Sequence, residues 1–187
     1  MTGILPVKKY GSHTALNMFS EFSMVAPKGL ARYVGFTAKE VQKLCSQYGL
    51  DFEEMKTWYD GYSFPEADSV YSPKSVIEAL TWKTFDTYWN QTETYEALKI
   101  YIQMNFDGLK DAIIEMLAGG KTEVNTGKFS NDMTTFTSRD DVLTLLIHLG
   151  YLSYNSAENT VTIPNKEVSL EYLNALEDTH WNDVLDK

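Results

Sequence analysis

The sequence predicts a mainly α-helical protein with one small β-hairpin near its end. Two observations carry that expectation. Apolar residues recur at helical spacing through most of the chain, and cap residues stand where each stripe starts and stops. Strict alternation of apolar and polar residues is confined to Tyr151–Ile163, where two short runs flank the polar turn "SAEN". The 187 residues suit one large domain or two small ones, and the 43% hydrophobic content provides for a sizeable core.

Taken in order, the elements are these. "TGILPV" is a short apolar run broken by Pro6 and has no partner strand nearby. Ser12–Val25 places Leu16, Phe19, Phe22 and Val25 on one helical stripe, which Pro27 and Gly29 end. Thr37 and Glu40 form a capping box for a helix with Val41, Leu44, Cys45 and Tyr48 inward and Gly49 as its left-handed stop. Asp51 and Glu54 repeat the pattern for a helix carrying Phe52, Met55, Trp58 and Tyr59. "PEADSVYSP" reads as a loop with a short extended piece, and Ser72-Pro73 then starts another helix. A helix is expected from about Thr94, and another in "DGLKDAIIEMLAGG", closed by Gly119-Gly120. A short strand is expected near Glu123–Thr126. Ser138 caps a helix ending at Gly150, the hairpin follows, and "KEVSLEYLNALEDTHWNDVL" closes the chain as helix. Helix, hairpin and a preceding short strand in this order resemble a winged-helix unit.

The formal net charge of -10 argues against nucleic acid as a direct partner, since that affinity comes from Lys and Arg on phosphates. Lys8-Lys9 is the nearest approach to a basic cluster, and the Ser138–Gly150 helix sets Arg139 against Asp140 and Asp141. Cys45 is the one cysteine, so no internal disulfide forms, and its place on a helical stripe reads as a buried small hydrophobe. No run approaches the ~20 apolar residues that span a bilayer, and "MTGILPVKKYG" does not read as a signal peptide. A reducing cytoplasm and no membrane partner are the expectations.

The search for chemistry yields no catalytic residue. Gly120-Lys121-Thr122 imitates a phosphate-binding loop, but the first glycine of that motif falls on Glu115, and a helix precedes it instead of a strand. His13, His148 and His180 lack metal-ligand spacing, and no metal site is expected; His148, beside Leu146, Ile147 and Leu149, reads as a structural histidine. A hydrolase whose Ser or Cys meets a His only in the folded state stays open. The aromatic run "WYDGYSF", Trp58–Phe64, has two readings. In one, Trp58, Tyr59, Asp60, Gly61 and Tyr62 form a contact site. In the other, Trp58 and Tyr62 are core wedges around an Asp60-Gly61 turn with φ above zero, Trp58 packing between its own helix and the one beginning near Pro73. Trp58→Ala would then cost roughly 3–5 kcal/mol.

Four stretches, "TGILPVKKYGSHTALNMF", "GFTAKEVQKL", "WYDGYSF…VYSPKSVIEAL…YW" and "LLIHLGYLSY…VTIPNKEV", resemble in order and spacing the C-terminal part of the bacterial AAA-ATPase-like domain associated with PD-(D/E)XK-nuclease-like domains. The resemblance covers almost the whole chain. It implies a remnant of the last strand of an ATPase core at 1–12, a helical lid-like region at 13–120 and a winged-helix-like region at 121–187. It also implies a non-catalytic, bacterial P-loop NTPase fragment. Such a fragment would couple nucleotide state to a nuclease-like domain, with the N-terminal ATPase core and the C-terminal nuclease-like domain as its missing partners. No cofactor is implied for this chain, while ATP and Mg²⁺ are implied for the intact protein, an expected ATPase. Thr2 would match a polar, sensor-like residue near the γ-phosphate. Relatives often carry Arg or Lys after the "WYDGY" pattern; Ser63 stands there in this chain, so no positive charge is supplied at that spot. The alternative is a stand-alone protein-interaction or winged-helix regulatory module.

Overall fold

The computed structural model describes residues 20, 22–89, 99, 100, 102, 108–129, 136 and 138–178. The expected "TGILPV" strand, Thr2, His13, His180 and most of the Ser12–Val25 and Thr94 helices lie outside them.

The described chain opens on a 3₁₀ turn at Lys28–Tyr33 and the two-residue strand β1 (Phe36–Thr37). Helix α1 (Ala38–Tyr48) starts where the Glu40 carboxylate accepts the Thr37 N–H at 2.8 Å and the Thr37 hydroxyl at 2.7 Å, and it stops at Gly49 with φ +72°. Helix α2 (Phe52–Tyr59) starts where Asp51 accepts the Glu54 N–H at 2.7 Å. Strands β2 (Tyr62–Phe64) and β3 (Ala67–Tyr71) then form a hairpin, and helix α3 (Pro73–Trp82) follows with proline in its first turn. Helix α4 (Leu109–Leu117) leads to β4 (Thr122–Glu123) and α5 (Arg139–Leu149), whose Ser138–Asp141 capping box is made. Strands β5 (Ser153–Asn155) and β6 (Thr160–Thr162) precede helix α6 (Lys166–Asp178).

The strands assemble into two antiparallel three-stranded sheets, in the orders β1-β3-β2 and β4-β6-β5. This overturns the mainly α expectation with its single hairpin: the fold mixes helices and two sheets. The second sheet lies at β4-β6-β5, where β4 covers Thr122–Glu123 and the chain then turns at Asn125, whose side chain accepts the Gly127 N–H. The missed sheet is β1-β3-β2. Its strands β1 and β2 are two and three residues long, too short to display a period of two. Tyr62 and Phe64 face inward and Ser63 outward, yet beside the preceding aromatics of α2 that alternation is invisible in the sequence.

Two cores result. Val41, Cys45, Met55, Tyr59, Tyr71, Val76 and Ala79 form one between α1, α2, α3 and β3. Leu143, Leu146, Tyr151, Val161, Val168 and Tyr172 belong to the other, around α5, the second sheet and α6. A small third cluster, Ala31, Tyr62, Phe64 and Val70, lies on the first sheet, and β2 runs beside β5 where the two halves meet.

Candidate functional site

The two halves are joined at the segment Trp58–Phe64. Helix α2 delivers Tyr59 into the first core, fully buried, with its hydroxyl bonded to the Asp86 backbone at 3.0 Å on both N–H and C=O. One residue on, the Asp60 carboxylate accepts the Gly61 N–H at 2.7 Å and the Ser69 hydroxyl at 2.8 Å, closing the turn onto β3. The Asp60 carbonyl accepts the Asn165 amide N–H at 2.8 Å, which crosses to the entry of α6. Gly61 has φ +112° and stands so close to Pro164 that an added Cβ would lie 1.9 Å from the proline carbonyl oxygen. Tyr62, buried, donates its hydroxyl to the Gly150 carbonyl at 2.6 Å, at the end of α5. Burial, with the charge of Glu167 as a lesser cause, pushes the Tyr62 phenol well above its ordinary range, so it stays a neutral donor.

A second set of bonds runs through α6. Glu167 is fully buried, and its carboxylate accepts the Ser75 hydroxyl at 2.7 Å and the Tyr88 and Trp89 N–H groups at 2.7 and 3.1 Å. Asn165 caps this helix by accepting the Val168 N–H at 3.0 Å. One turn further on, Glu171 is also fully buried, and neither carboxylate oxygen has a hydrogen-bond partner of normal geometry. Burial, reinforced by the charge of Glu167 and only partly offset by the Thr87 side chain, pushes Glu171 up to about 7. Burial raises Glu167 as well, opposed by its three hydrogen bonds and by Lys74.

Of the residues singled out in the sequence, the structure brings Tyr59, Asp60, Gly61 and Tyr62 into this joint. Trp58 is half-buried at its edge, beneath the Lys166 ammonium, which lies 4.0 Å from the ring centroid. It packs against the first core from outside, and the deep position belongs to Tyr59. Trp58→Ala is therefore expected to lower stability by about 1–2 kcal/mol, below the range for a fully buried aromatic. Thermal melts would show a drop of a few degrees; a loss as large as that of an emptied core site would put Trp58 in the interior after all. His148 is half-buried, with its ring 5.3 Å from that of Phe129. Cys45 is buried and free. Among the described residues no three His, Cys, Asp or Glu side chains are placed to hold a metal ion.

Asn165 and Glu167 escaped the sequence reading, although a signal exists. Glu171 sits on the apolar stripe Val168, Tyr172, Ala175, and Glu167 lies one turn before it. Carboxylates on the inward face of an amphipathic helix are uncommon unless they are paired or functional.

Beside the joint opens an apolar cleft of about 460 Å³. The inward face of the first sheet supplies Tyr62, Phe64 and Val70. The start of α3 supplies Ser72, Pro73 and Lys74, and Trp89 and the end of α5, His148–Gly150, close the far side. Compared with known family models, curated proteins and solved structures, the chain matches none. Among the described residues no helix is long and apolar enough to cross a membrane.

Proposed function

We propose that this chain is the lid and winged-helix-like region of a P-loop ATPase-like protein, a non-catalytic element that carries the nucleotide state of a core domain to a nuclease-like domain. The observation supporting this reading is the convergence of the resembling stretches. "WYDGY", "VYSP", "YW", "LGY" and "IPNKE" lie far apart in the chain, yet Tyr62 bonds to Gly150, Asp60 to Asn165, Ser75 to Glu167, and the Tyr88 and Trp89 amides to Glu167. A motif set whose members meet at one joint fits an element that transmits position. Direct reading of DNA by α5 is disfavoured: Val142–Ile147 are all buried, and Arg139 turns to the Glu123 carbonyl and to Asp140.

Two measurements test the reading. Isothermal titration of the chain with ATP and Mg²⁺ is expected to give no binding heat, because no phosphate cradle stands in the sequence; micromolar affinity would overturn that expectation. The coding DNA upstream of the Met1 codon is expected to hold an in-frame P-loop, and its absence there would remove the ATPase reading and favour a stand-alone interaction module.

A further inference from the structure

We infer that residues 84–89 form a pH-sensitive strap between the two halves, closed while Glu171 carries a proton and released when Glu171 ionises. Residues 84–88 belong to no helix or strand. Side chains from three helices hold them instead. Tyr59 of α2 bonds the Asp86 N–H and C=O, both at 3.0 Å. Lys74 of α3 donates to the Tyr88 carbonyl at 2.8 Å. Glu167 of α6 accepts the Tyr88 and Trp89 N–H groups on one oxygen, Oε1. The strap also joins the two cores. Tyr88 is buried in the first, and Trp89 packs edge-on against Tyr151 of the second, with ring centroids 6.0 Å apart.

One carboxylate pair governs the tie. Glu167 and Glu171 stand four residues apart, hence on one face of α6, and both are fully buried. Both oxygens of Glu167 act as acceptors, Oε1 from the strap amides and Oε2 from the Ser75 hydroxyl. Such donors favour its ionised form. Glu171 has no comparable donors, and it faces Glu167 on its own helix and Thr87 on the strap. The other titratable groups about the pair bring it no positive charge. Lys74 of α3 is directed at the strap carbonyl on the Glu167 side. Tyr59 of α2 engages Asp86, Tyr62 of β2 faces Glu167, and Tyr172 of α6 faces Tyr151 and Tyr62. Two buried like charges one helical turn apart do not both persist, so the closed strap holds one charge on Glu167 and one proton on Glu171. Once that proton leaves, Glu171 regains water only if Thr87 moves aside, which draws the neighbouring Tyr88 and Trp89 amides off Glu167. Burial raises Glu171 to about 7 in the closed state, whereas a solvated carboxyl titrates near 4.3. The closed form therefore binds the proton more tightly. Opening grows as pH rises from about 4.3 to 7 and levels off above.

Amide hydrogen exchange of the folded chain, read by NMR at several low urea concentrations, separates local release from global unfolding. After correction for intrinsic exchange, protection of the Tyr88 and Trp89 amides is expected to fall by on the order of 10–100-fold from pH 5 to pH 7 and then to level off. That exchange is expected to change little with urea, because releasing six residues exposes little surface. The Leu146 amide, inside α5 and the second core, is expected to be better protected and to follow urea. Glu171→Gln keeps the side-chain volume and cannot ionise, so it is expected to hold the two strap amides at one level of protection across the pH range. Strap protection that does not change with pH in the wild-type chain would overturn the inference. So would a pH response that persists in Glu171→Gln, or strap amides that share the urea slope of Leu146.

Discussion

Gly61→Ala is expected to destabilise the protein by about 4 kcal/mol or more, among the largest losses for so small a change, because it combines backbone strain with a collision. The φ of +112° disfavours any side chain. The added Cβ would also stand 1.9 Å from the Pro164 oxygen and 2.5 Å from its carbonyl carbon, and backbone cannot rotate away as a side-chain tip can. Relief would mean parting β2 from the α6 entry, which breaks the Asp60–Asn165 hydrogen bond and draws Tyr62 away from Gly150. Gly49→Ala is the matched control. Gly49 also has positive φ, +72°, but nothing lies within 4 Å of its added Cβ. Only the left-handed backbone term remains there, about 1–2 kcal/mol. Urea unfolding of both variants beside wild type measures the difference, and equal losses would mean that the joint opens freely and does not hold the two halves together.

Glu167→Ala is expected to lower stability by roughly 3–5 kcal/mol, the range for removing one partner of a buried charged network. It leaves two N–H groups, at Tyr88 and Trp89, and the Ser75 hydroxyl without the oxygen they bond. Glu167→Gln keeps the volume and an acceptor for the amides, so its loss is expected to be much smaller; equal losses in urea unfolding would show that the hydrogen bonds to Glu167 do not hold the joint.

Substitution of its neighbour Glu171 is expected to have the opposite effect on stability. A carboxyl has an unfolded pKa near 4.3, and burial raises that of Glu171 to about 7 in the fold. Folding therefore favours the protonated form. Below the unfolded value the group is neutral in both states and carries no penalty. As pH rises from about 4.3 to 7 the unfolded chain releases its proton first, and stability falls; above 7 the whole penalty is in force. Glu171→Gln is thus expected to stabilise the protein at pH 8, by about 4 kcal/mol at most, and to do little at pH 4. Melting temperatures across that pH window read it directly, and a gain that is equal at both ends would show that Glu171 does not titrate between them.

Local chemistry accounts for what was legible in the sequence. Helices α1, α2 and α5 begin at Thr37–Glu40, Asp51–Glu54 and Ser138–Asp141, and each of those caps closes a hydrogen bond within three residues. The stops at Gly49 and Gly150 are equally local, since a left-handed backbone selects glycine whatever the rest of the chain does. The β5-β6 hairpin joins neighbouring strands, so its alternation and its turn are both in view. The aromatic weight of "WYDGYSF" likewise marked a position of consequence.

What the tertiary structure alone decided is the pairing of distant residues. The sheet β1-β3-β2 brings Phe36 to Tyr71, and strands of two and three residues carry too little pattern to announce such a partner. Tyr62 reaches a carbonyl 88 positions away, Ser75 a carboxylate 92 away, and Asp60 an amide 105 away. The pairings themselves have no sequence signature, because any buried donor can bond any buried acceptor that packing brings within reach. The choice of Tyr59 over Trp58 as the buried aromatic is of the same kind. Both lie on the inner stripe of α2, and only the placement of α6, with Lys166 over the indole, assigns one ring to the core and the other to its edge.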